Sequence, residues 1–293
     1  MYEQFYGFTE KPFSLQPDPD FLYFGKKHSM AYTMLEYGVL NGSPITVITG
    51  EIGSGKTTLI RHLLNSLGDD ITVGLISNTH SAFGELLTWV NSAFSLEHKE
   101  LDKVAMYQQF IDIMIDEYAK GKRTVLIVDE AQNMDRDTLE ELRVISNVNA
   151  DKDQVLQLIL VGQPELRDTL RRPDMEQLAQ RVSVNFHLDA LEPEETDVYI
   201  KHRLQNAGGD PELFEEKTRL FIHYHSDGIP RLINNICDTA LVYGFASQLE
   251  KINTETVFEI IQDKIKNGGG LLVNRERKQS LSEFEPSLSE FDR

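Results

Sequence analysis

The stretch that most restricts what this chain can fold into runs from Ile45 to Leu67. Ile45-Thr-Val-Ile-Thr49 is a β-branched run of strand character, and Thr57–Leu67 carries apolar residues at helical spacing. Between them lies Gly50-Glu-Ile-Gly-Ser-Gly-Lys56-Thr57, which fits the phosphate-binding pattern GxxxxGK[ST] in the strand-to-helix setting that the pattern requires. The glycines let backbone N–H groups wrap a phosphate, and the helix N-terminus adds positive potential. Lys56 is placed to reach β- and γ-phosphates, and the Thr57 hydroxyl to ligate Mg²⁺. Gly50, Gly53, Ser54, Gly55, Lys56, Thr57 and Thr58 are therefore the candidate nucleotide-binding residues. A chance glycine-rich turn is the alternative, and the flanking strand and helix count against it.

A second motif stands some 70 residues further on. In Thr124-Val-Leu-Ile-Val-Asp129-Glu130, consecutive apolar residues bury a strand and push a carboxylate out at its C-terminal end. Asp129 is the candidate partner of Thr57 in holding Mg²⁺, and Glu130 the candidate group that orients and activates an attacking water. An ordinary strand ending in an acidic turn reads the same way in isolation; the pairing with the phosphate loop decides for the functional reading. Gln163, after the strand Val155–Val161, is placed either to touch the γ-phosphate or the water, or to cap the helix that Pro164 begins. Asn78, ending the strand Ile71–Ser77, is either a hydrogen-bond partner that holds Glu130 inactive or a plain loop residue.

Three arginine sites compete for work on the γ-phosphate. Arg231, in Gly228-Ile-Pro-Arg231, opens a helix and could reach back across a cleft. Arg181, in Leu178-Ala-Gln-Arg-Val182, precedes the fifth strand and could enter a neighbouring subunit's site as an arginine finger; Arg171 and Arg172 are rivals for that role. The alternative for each is a surface arginine with an acidic neighbour. His223 and His225 lack a third ligand of metal-binding type and read as packing or surface residues.

Along the chain, residues 1–27 are dense in aromatics and proline, which argues against a regular helix and for an arm packed on the α/β domain. A helix is expected over His28–Leu40. Strands are expected at Ile45–Thr49, Ile71–Ser77, Thr124–Val128, Val155–Val161 and Ser183–Leu188, with helices at Thr57–Leu67, Ser81–Phe94, Val104–Tyr118 and Arg136–Asn149 between them. That alternation implies a five-stranded parallel sheet covered on both faces. Helices expected at Glu194–Asn206, Pro211–Tyr224, Arg231–Ala246 and Thr254–Lys266 form a separate helical lid. The organisation is thus an arm over 1–27, an α/β nucleotide-binding domain over 28–191, a lid over 192–266 and a disordered tail over 267–293. The tail repeats itself: Ser280-Leu-Ser-Glu-Phe-Glu285, then Ser287-Leu-Ser-Glu-Phe-Asp292, with Leu281, Phe284, Leu288 and Phe291 forming one apolar stripe if the segment turns helical.

Composition narrows the partners. There are 29 Lys and Arg against 47 Asp and Glu, a formal charge of −18, which opposes long-range attraction to nucleic acid. Lys26-Lys27, Lys120-Lys122-Arg123 and Arg171-Arg172 are the candidate basic patches. The single cysteine, Cys237, excludes an internal disulfide framework. No apolar run reaches the ~18 residues of a membrane helix, so a cytoplasmic location is expected, peripheral to the inner membrane only through a partner.

Together these motifs resemble the AAA+ ATPases. The chain looks, more narrowly, like the ExeA/GspA-type subgroup of secretion-pathway, pilus-assembly and exosortase-associated ATPases. The narrower likeness rests on Met1-Tyr-Glu-Gln-Phe-Tyr-Gly-Phe8, Lys11-Pro-Phe-Ser14, Pro17-Asp-Pro-Asp-Phe21, Val128-Asp-Glu-Ala-Gln132, Val161-Gly-Gln-Pro-Glu-Leu166 and Gly228-Ile-Pro-Arg231, within residues 1–266. The resemblance implies a P-loop AAA+ fold, ATP and Mg²⁺ as ligands, and ATP-dependent homo-oligomers, as a ring or filament. In its terms Gln163 is the first sensor, Arg231 the second and Arg181 the trans-acting finger. It implies an assembly or energising role in an envelope secretion, exopolysaccharide or pilus system. The tail segment 280–292 is then a candidate docking element for a membrane-associated partner. Some relatives continue into a membrane helix and a peptidoglycan-binding domain, neither of which is read here. The other reading is a DNA-associated regulator of transposition with the same ATPase motifs.

Overall fold

A computed structural model of the chain describes residues 1–16, 18, 21–77, 79, 84–98, 101–150 and 153–267. Seven strands are formed among the described residues: β1 Ile45–Gly50, β2 Ile71–Ile76, β3 Arg123–Val128, β4 Asn149–Ala150, β5 Asp153–Gln154, β6 Leu156–Gly162 and β7 Val182–Leu188. β1, β2, β3, β6 and β7 make one sheet in the order β2-β3-β6-β1-β7, and every pairing in it is parallel. The five strands fall within a residue or two of the expected runs. Burial explains the order. β1 and β6 are buried along their whole length and lie inside the sheet, whereas β2 and β7, which alternate more, are its edges.

β4 and β5 form a small antiparallel hairpin that the sequence does not announce. It replaces the last turn of the helix expected over 136–149, which ends at Ile145. Asp135 starts that helix by accepting from Thr138 N at 2.8 Å, and Asp102 starts Lys103–Ala119 by accepting from Ala105 N at 2.8 Å. The helix expected from Ser81 is formed over Leu86–Ala93. Phe83, expected on its apolar face, lies outside the described residues, while Leu86 is buried and Trp89 packs beside it.

The chain divides into two compact units. The α/β unit comprises Lys26–Glu51 and Lys56–Asp189. The helical unit comprises Met1–Gly25, Ile52–Gly55 and the described residues from Ala190 onward. The helical unit is built on Pro193–Asn206, Glu216–Ser226, Pro230–Ala246 and Thr254–Asn267. Its second helix begins five residues later than expected. Asp210 accepts from Glu212 N at 2.8 Å, and Phe214 bridges to Ile252, so residues 211–215 form a turn and a strand-like contact instead.

The aromatic arm is buried in the helical unit's core, not in the α/β core expected from sequence. Tyr2, Phe8, Phe13 and Phe21 share one apolar cluster with Leu204, Phe214, Ile233 and Ile236. The ring of Phe13 meets Phe214 edge-on at 6.0 Å. A polar staple explains the choice. Arg203, itself buried, donates to Pro12 O at 2.6 Å and Ser14 O at 3.3 Å, and its guanidinium lies 4.6 Å from the Phe21 ring centroid. The arm also holds a short helix, Tyr2–Tyr6, closed by Gly7 in the left-handed region; it ends before Pro12, the first residue that would stop it. The Tyr2 hydroxyl donates to Asp238, and burial with that carboxylate beside it pushes the phenol well above its ordinary range.

Among the described residues no helix is long and apolar enough to cross a membrane.

Phe13 is 1% exposed, so its removal leaves a cavity. The expected outcome for Phe13→Ala is a loss of about 3–5 kcal/mol of unfolding free energy, read by urea denaturation followed through helix content. Phe5→Ala, at a residue 38% exposed, serves as the control and should cost far less.

Candidate functional site

Parallel strands place all their carboxyl ends on one edge, and three neighbouring strands deliver the motif residues there. β1 ends at Gly50 where the loop begins, β3 ends just before Asp129 and Glu130, and β6 ends just before Gln163. The pairing register sets Thr49 opposite Gly162 and Val128 opposite Leu160, so the three ends are aligned within three residues.

Within the α/β unit Lys56 is buried, and its Nζ donates to Gly50 O at 2.7 Å and Glu51 O at 2.8 Å. Burial pulls its ammonium below the ordinary lysine range, while the carboxylates of Glu130, Asp129, Glu51 and Glu165 oppose that loss of charge. Thr57 Oγ1 donates to Asp129 Oδ2 at 2.9 Å, joining the two motifs across 72 positions of sequence. Asp129 is buried too. Desolvation raises its carboxyl above the usual range, against hydrogen bonds from Thr57 and the Glu130 N–H. Thr58 follows Thr57 in the first turn of the helix Lys56–Ser66.

Glu130 is the strained residue. Its backbone lies in the left-handed region at φ 56 and ψ 34, unusual for a residue with a side chain. Two hydrogen bonds and the following turn hold it there. Its N–H donates to Asp129 Oδ1 at 2.9 Å, its carbonyl accepts from Thr79 Oγ1 at 2.7 Å, and the chain turns at once into a short 3₁₀ helix, Ala131–Asn133. The turn aims the Glu130 carboxylate at Gln132 Nε2, 2.6 Å away, and Gln163 Nε2, 3.3 Å away. Gln163 is also the N-cap residue of Pro164–Leu170, as its capping reading expects, although its side chain bonds Glu130 and makes no cap hydrogen bond. Asn78 lies outside the described residues. Thr79 and Gln132 are contacts to which the sequence reading gives no role; Thr79 is signalled only by lying beside Asn78, and Gln132 by closing the stretch Val128-Asp-Glu-Ala-Gln132.

Of the arginines in the α/β unit, Arg181 is partly buried and its Nη2 donates to Ser146 O at 3.1 Å. Desolvation, with Arg143 nearby, lowers its guanidinium from its ordinary value. Arg172 forms a two-pronged pair with Asp174 at 3.1 and 2.9 Å. Arg171 is exposed; its backbone N–H caps Pro164–Leu170, and its side chain has no hydrogen-bond or ion-pair partner among the described residues. Lys120 and Lys122 both face Glu117, at 2.7 and 3.9 Å, so one carboxylate offsets one of that cluster's three positive charges. In the helical unit, the Arg231 N–H donates to Gly53 O at 3.1 Å. His223 Nδ1 and Thr196 Oγ1 are hydrogen-bonded at 2.9 Å, and the His225 ring packs on Phe221.

Two glycines of the loop need to be glycines. Gly53 has φ +83 and Gly55 φ 101; a Cβ on Gly53 would fall 2.4 Å from Arg231 Cβ. The expected outcome for Gly53→Ala is a loss of about 1–3 kcal/mol in the helical unit, measured by thermal or urea unfolding.

Residues 40–170 match the family model described as "AAA domain". Over 253 residues the chain is 40% identical to General secretion pathway protein A of Aeromonas hydrophila, an alignment that covers 86% of this chain and 46% of that protein. The chain thus spans less than half the length of this curated relative. Among solved structures, the ORC2 protein of Aeropyrum pernix superposes with a TM-score of 0.65 at 15% identity, covering 90% of this chain and 75% of that one. The Walker-type ATPase of Pyrococcus abyssi gives 0.59 at 19% identity, covering 88% and 78%. RuvB of Thermotoga maritima gives 0.52 at 19%, covering 85% and 73%. These three likenesses are of fold. Family model, sequence relative and sheet agree, and the chain belongs to the AAA proteins of P-loop ATPase fold, as a homologue of General secretion pathway protein A.

Proposed function

We propose that the chain hydrolyses ATP with Mg²⁺ as a homo-oligomer, as a ring or filament, and acts as an assembly or energising factor for a bacterial envelope secretion, exopolysaccharide or pilus system. The observation that carries the ATPase reading is the alignment of three strand ends that sets Lys56, the Thr57–Asp129 pair, Glu130 and Gln163 around one loop. The envelope reading rests on the likeness to General secretion pathway protein A, and the oligomer on the AAA family.

In this reading the loop N–H groups and Lys56 bind the triphosphate. Lys56 Nζ, which now donates to two loop carbonyls, exchanges them for phosphate oxygens, and its burial strengthens each contact. Thr57 and Asp129 offer a hydroxyl and a carboxylate 2.9 Å apart, the hard oxygen donors that Mg²⁺ takes alongside phosphate and water. Bound there, the ion would neutralise charge on the β- and γ-phosphates. Glu130 orients a water for attack on the γ-phosphorus and accepts its proton, and Gln163 steadies the same carboxylate from β6. Arg231 is the candidate second sensor; its hydrogen bond to Gly53 keeps it beside a loop residue of its own unit. Arg181 and Arg171 are the candidates for a finger acting on a neighbouring subunit. The tail at 280–292, outside the described residues, is the candidate docking element for a membrane-associated partner. The ion-paired state of Lys120, Lys122 and Arg172, with a charge of −18, favours this reading over the DNA-associated one.

Phosphate release and calorimetric ATP titration test it. Lys56→Ala should weaken ATP binding at least about 100-fold. Glu130→Gln should bind ATP with near-normal affinity while turnover falls by about 10²–10⁴. Normal turnover in Glu130→Gln would remove Glu130 from the role of base. Turnover per subunit should rise with protein concentration and ignore added DNA at two salt levels. A rate that needs DNA and collapses with salt would install the transposition-type reading instead.

A further inference from the structure

Gln132 closes the stretch Val128-Asp-Glu-Ala-Gln132 but has no role in the sequence reading, and its side chain joins Glu130 to the end of β6. Its Oε1 accepts the backbone N–H of Gln163 at 2.9 Å. A backbone donor cannot be exchanged for an acceptor, so this bond fixes which end of the amide is oxygen. The other end, Nε2, must then point away, and it donates to Glu130 Oε2 at 2.6 Å. One amide therefore ties the β6 strand end to the carboxylate that follows β3. The tie spans 31 positions of sequence on one side and two on the other.

The contact loads one oxygen of Glu130 selectively. Oε2 takes donors from both Gln132 and Gln163, whereas no donor reaches Oε1 among the described residues. A carboxylate held through one oxygen keeps the other for a water. The alternative, a freely rotating glutamate on a strained backbone turn, would spread that lone pair over many directions.

Resting on the ATPase reading above, we infer that Gln132 is a positioning residue for hydrolysis: it fixes the Glu130 carboxylate against the end of β6 so that Oε1 faces the attacking water. Gln132 touches neither nucleotide nor water in this scheme; it acts through Glu130 and the Gln163 backbone. Nucleotide binding, which depends on the loop, Lys56 and Thr57, does not need it.

The test uses the full chain with ATP and Mg²⁺ and four variants: Gln132→Ala, Gln132→Met, Glu130→Gln, and Glu130→Gln combined with Gln132→Met. Methionine keeps the length and bulk of glutamine but removes both hydrogen bonds, so it separates positioning from folding. Gln132→Met and Gln132→Ala should each lower kcat by about 10–100-fold, with the Kd for ATP changed less than about 3-fold. Adding Gln132→Met to Glu130→Gln should cost less than about 2-fold further, because the group being positioned is already gone. Amide exchange at Gln163 should accelerate in Gln132→Met, whereas a residue that only fills space would leave it unchanged. Unchanged kcat, a raised kcat, or a full additional loss in the double variant overturns the inference and leaves the ATPase reading standing. Absence of ATP hydrolysis by the unmodified protein overturns both, and is told apart because Glu130→Gln then matches it.

Discussion

Everything chemical in this chain depends on one constraint: β1, β3 and β6 run parallel and lie side by side. Neighbouring strands sit about 4.8 Å apart, so residues that leave their carboxyl ends are within side-chain reach whatever their separation in sequence. The apolar residues of β1 and β6, buried from end to end, enforce that adjacency. Hydrophobic burial is non-directional, yet here it brings Lys56, Asp129 and Gln163 to one edge because the strands it buries have a fixed register.

The same edge carries an electrostatic cost. Burial drives Lys56 and Asp129 toward their neutral forms, and each charge opposes the shift in the other. Neither is satisfied alone: Lys56 uses two loop carbonyls, Asp129 the Thr57 hydroxyl and a backbone N–H. Removing one partner would leave the other charged, buried and short of contacts, which costs more than the pair contributes. Glu130, next in sequence, escapes that burial by turning into the left-handed region. Two adjacent carboxylates thus acquire different surroundings from a single backbone turn, one enclosed with Thr57 and one half-exposed and held by side-chain amides.

Much of this is legible in the sequence because it is local. The β-branched and apolar runs locate all five strands of the sheet, and the glycines of the loop mark the positive-φ positions at Gly53 and Gly55, since strand pattern and φ preference are local. The parts that are not legible depend on distant partners. Nothing around Gln132 shows that the backbone N–H of Gln163, just past β6, will orient it. Nothing in Pro211–Glu215 shows that Phe214 will meet Ile252 and delay the helix. The hairpin at 149–154 is too short to leave a periodic signal. Arg181 and Arg172 read alike in sequence, while one donates to a carbonyl and the other pairs with Asp174.

The arm shows the limit most clearly, because the boundary read from sequence follows chain continuity and the fold does not. The helices after Ala190 cannot close their core unaided. Without residues 1–25 the places of Tyr2, Phe8, Phe13 and Phe21 would be open apolar surface, and Arg203 would lose the carbonyls of Pro12 and Ser14. A buried guanidinium stripped of acceptors costs several kcal/mol, comparable to the cavity left by one phenylalanine. The arm is therefore part of the helical unit's packing, which the expected bounds 192–266 leave out. Ile52–Gly55 group with that same unit, tied by the bond from Arg231 to Gly53. The opening aromatics, the middle of the phosphate loop and the candidate sensor arginine are thus one body, assembled from three separate stretches of chain.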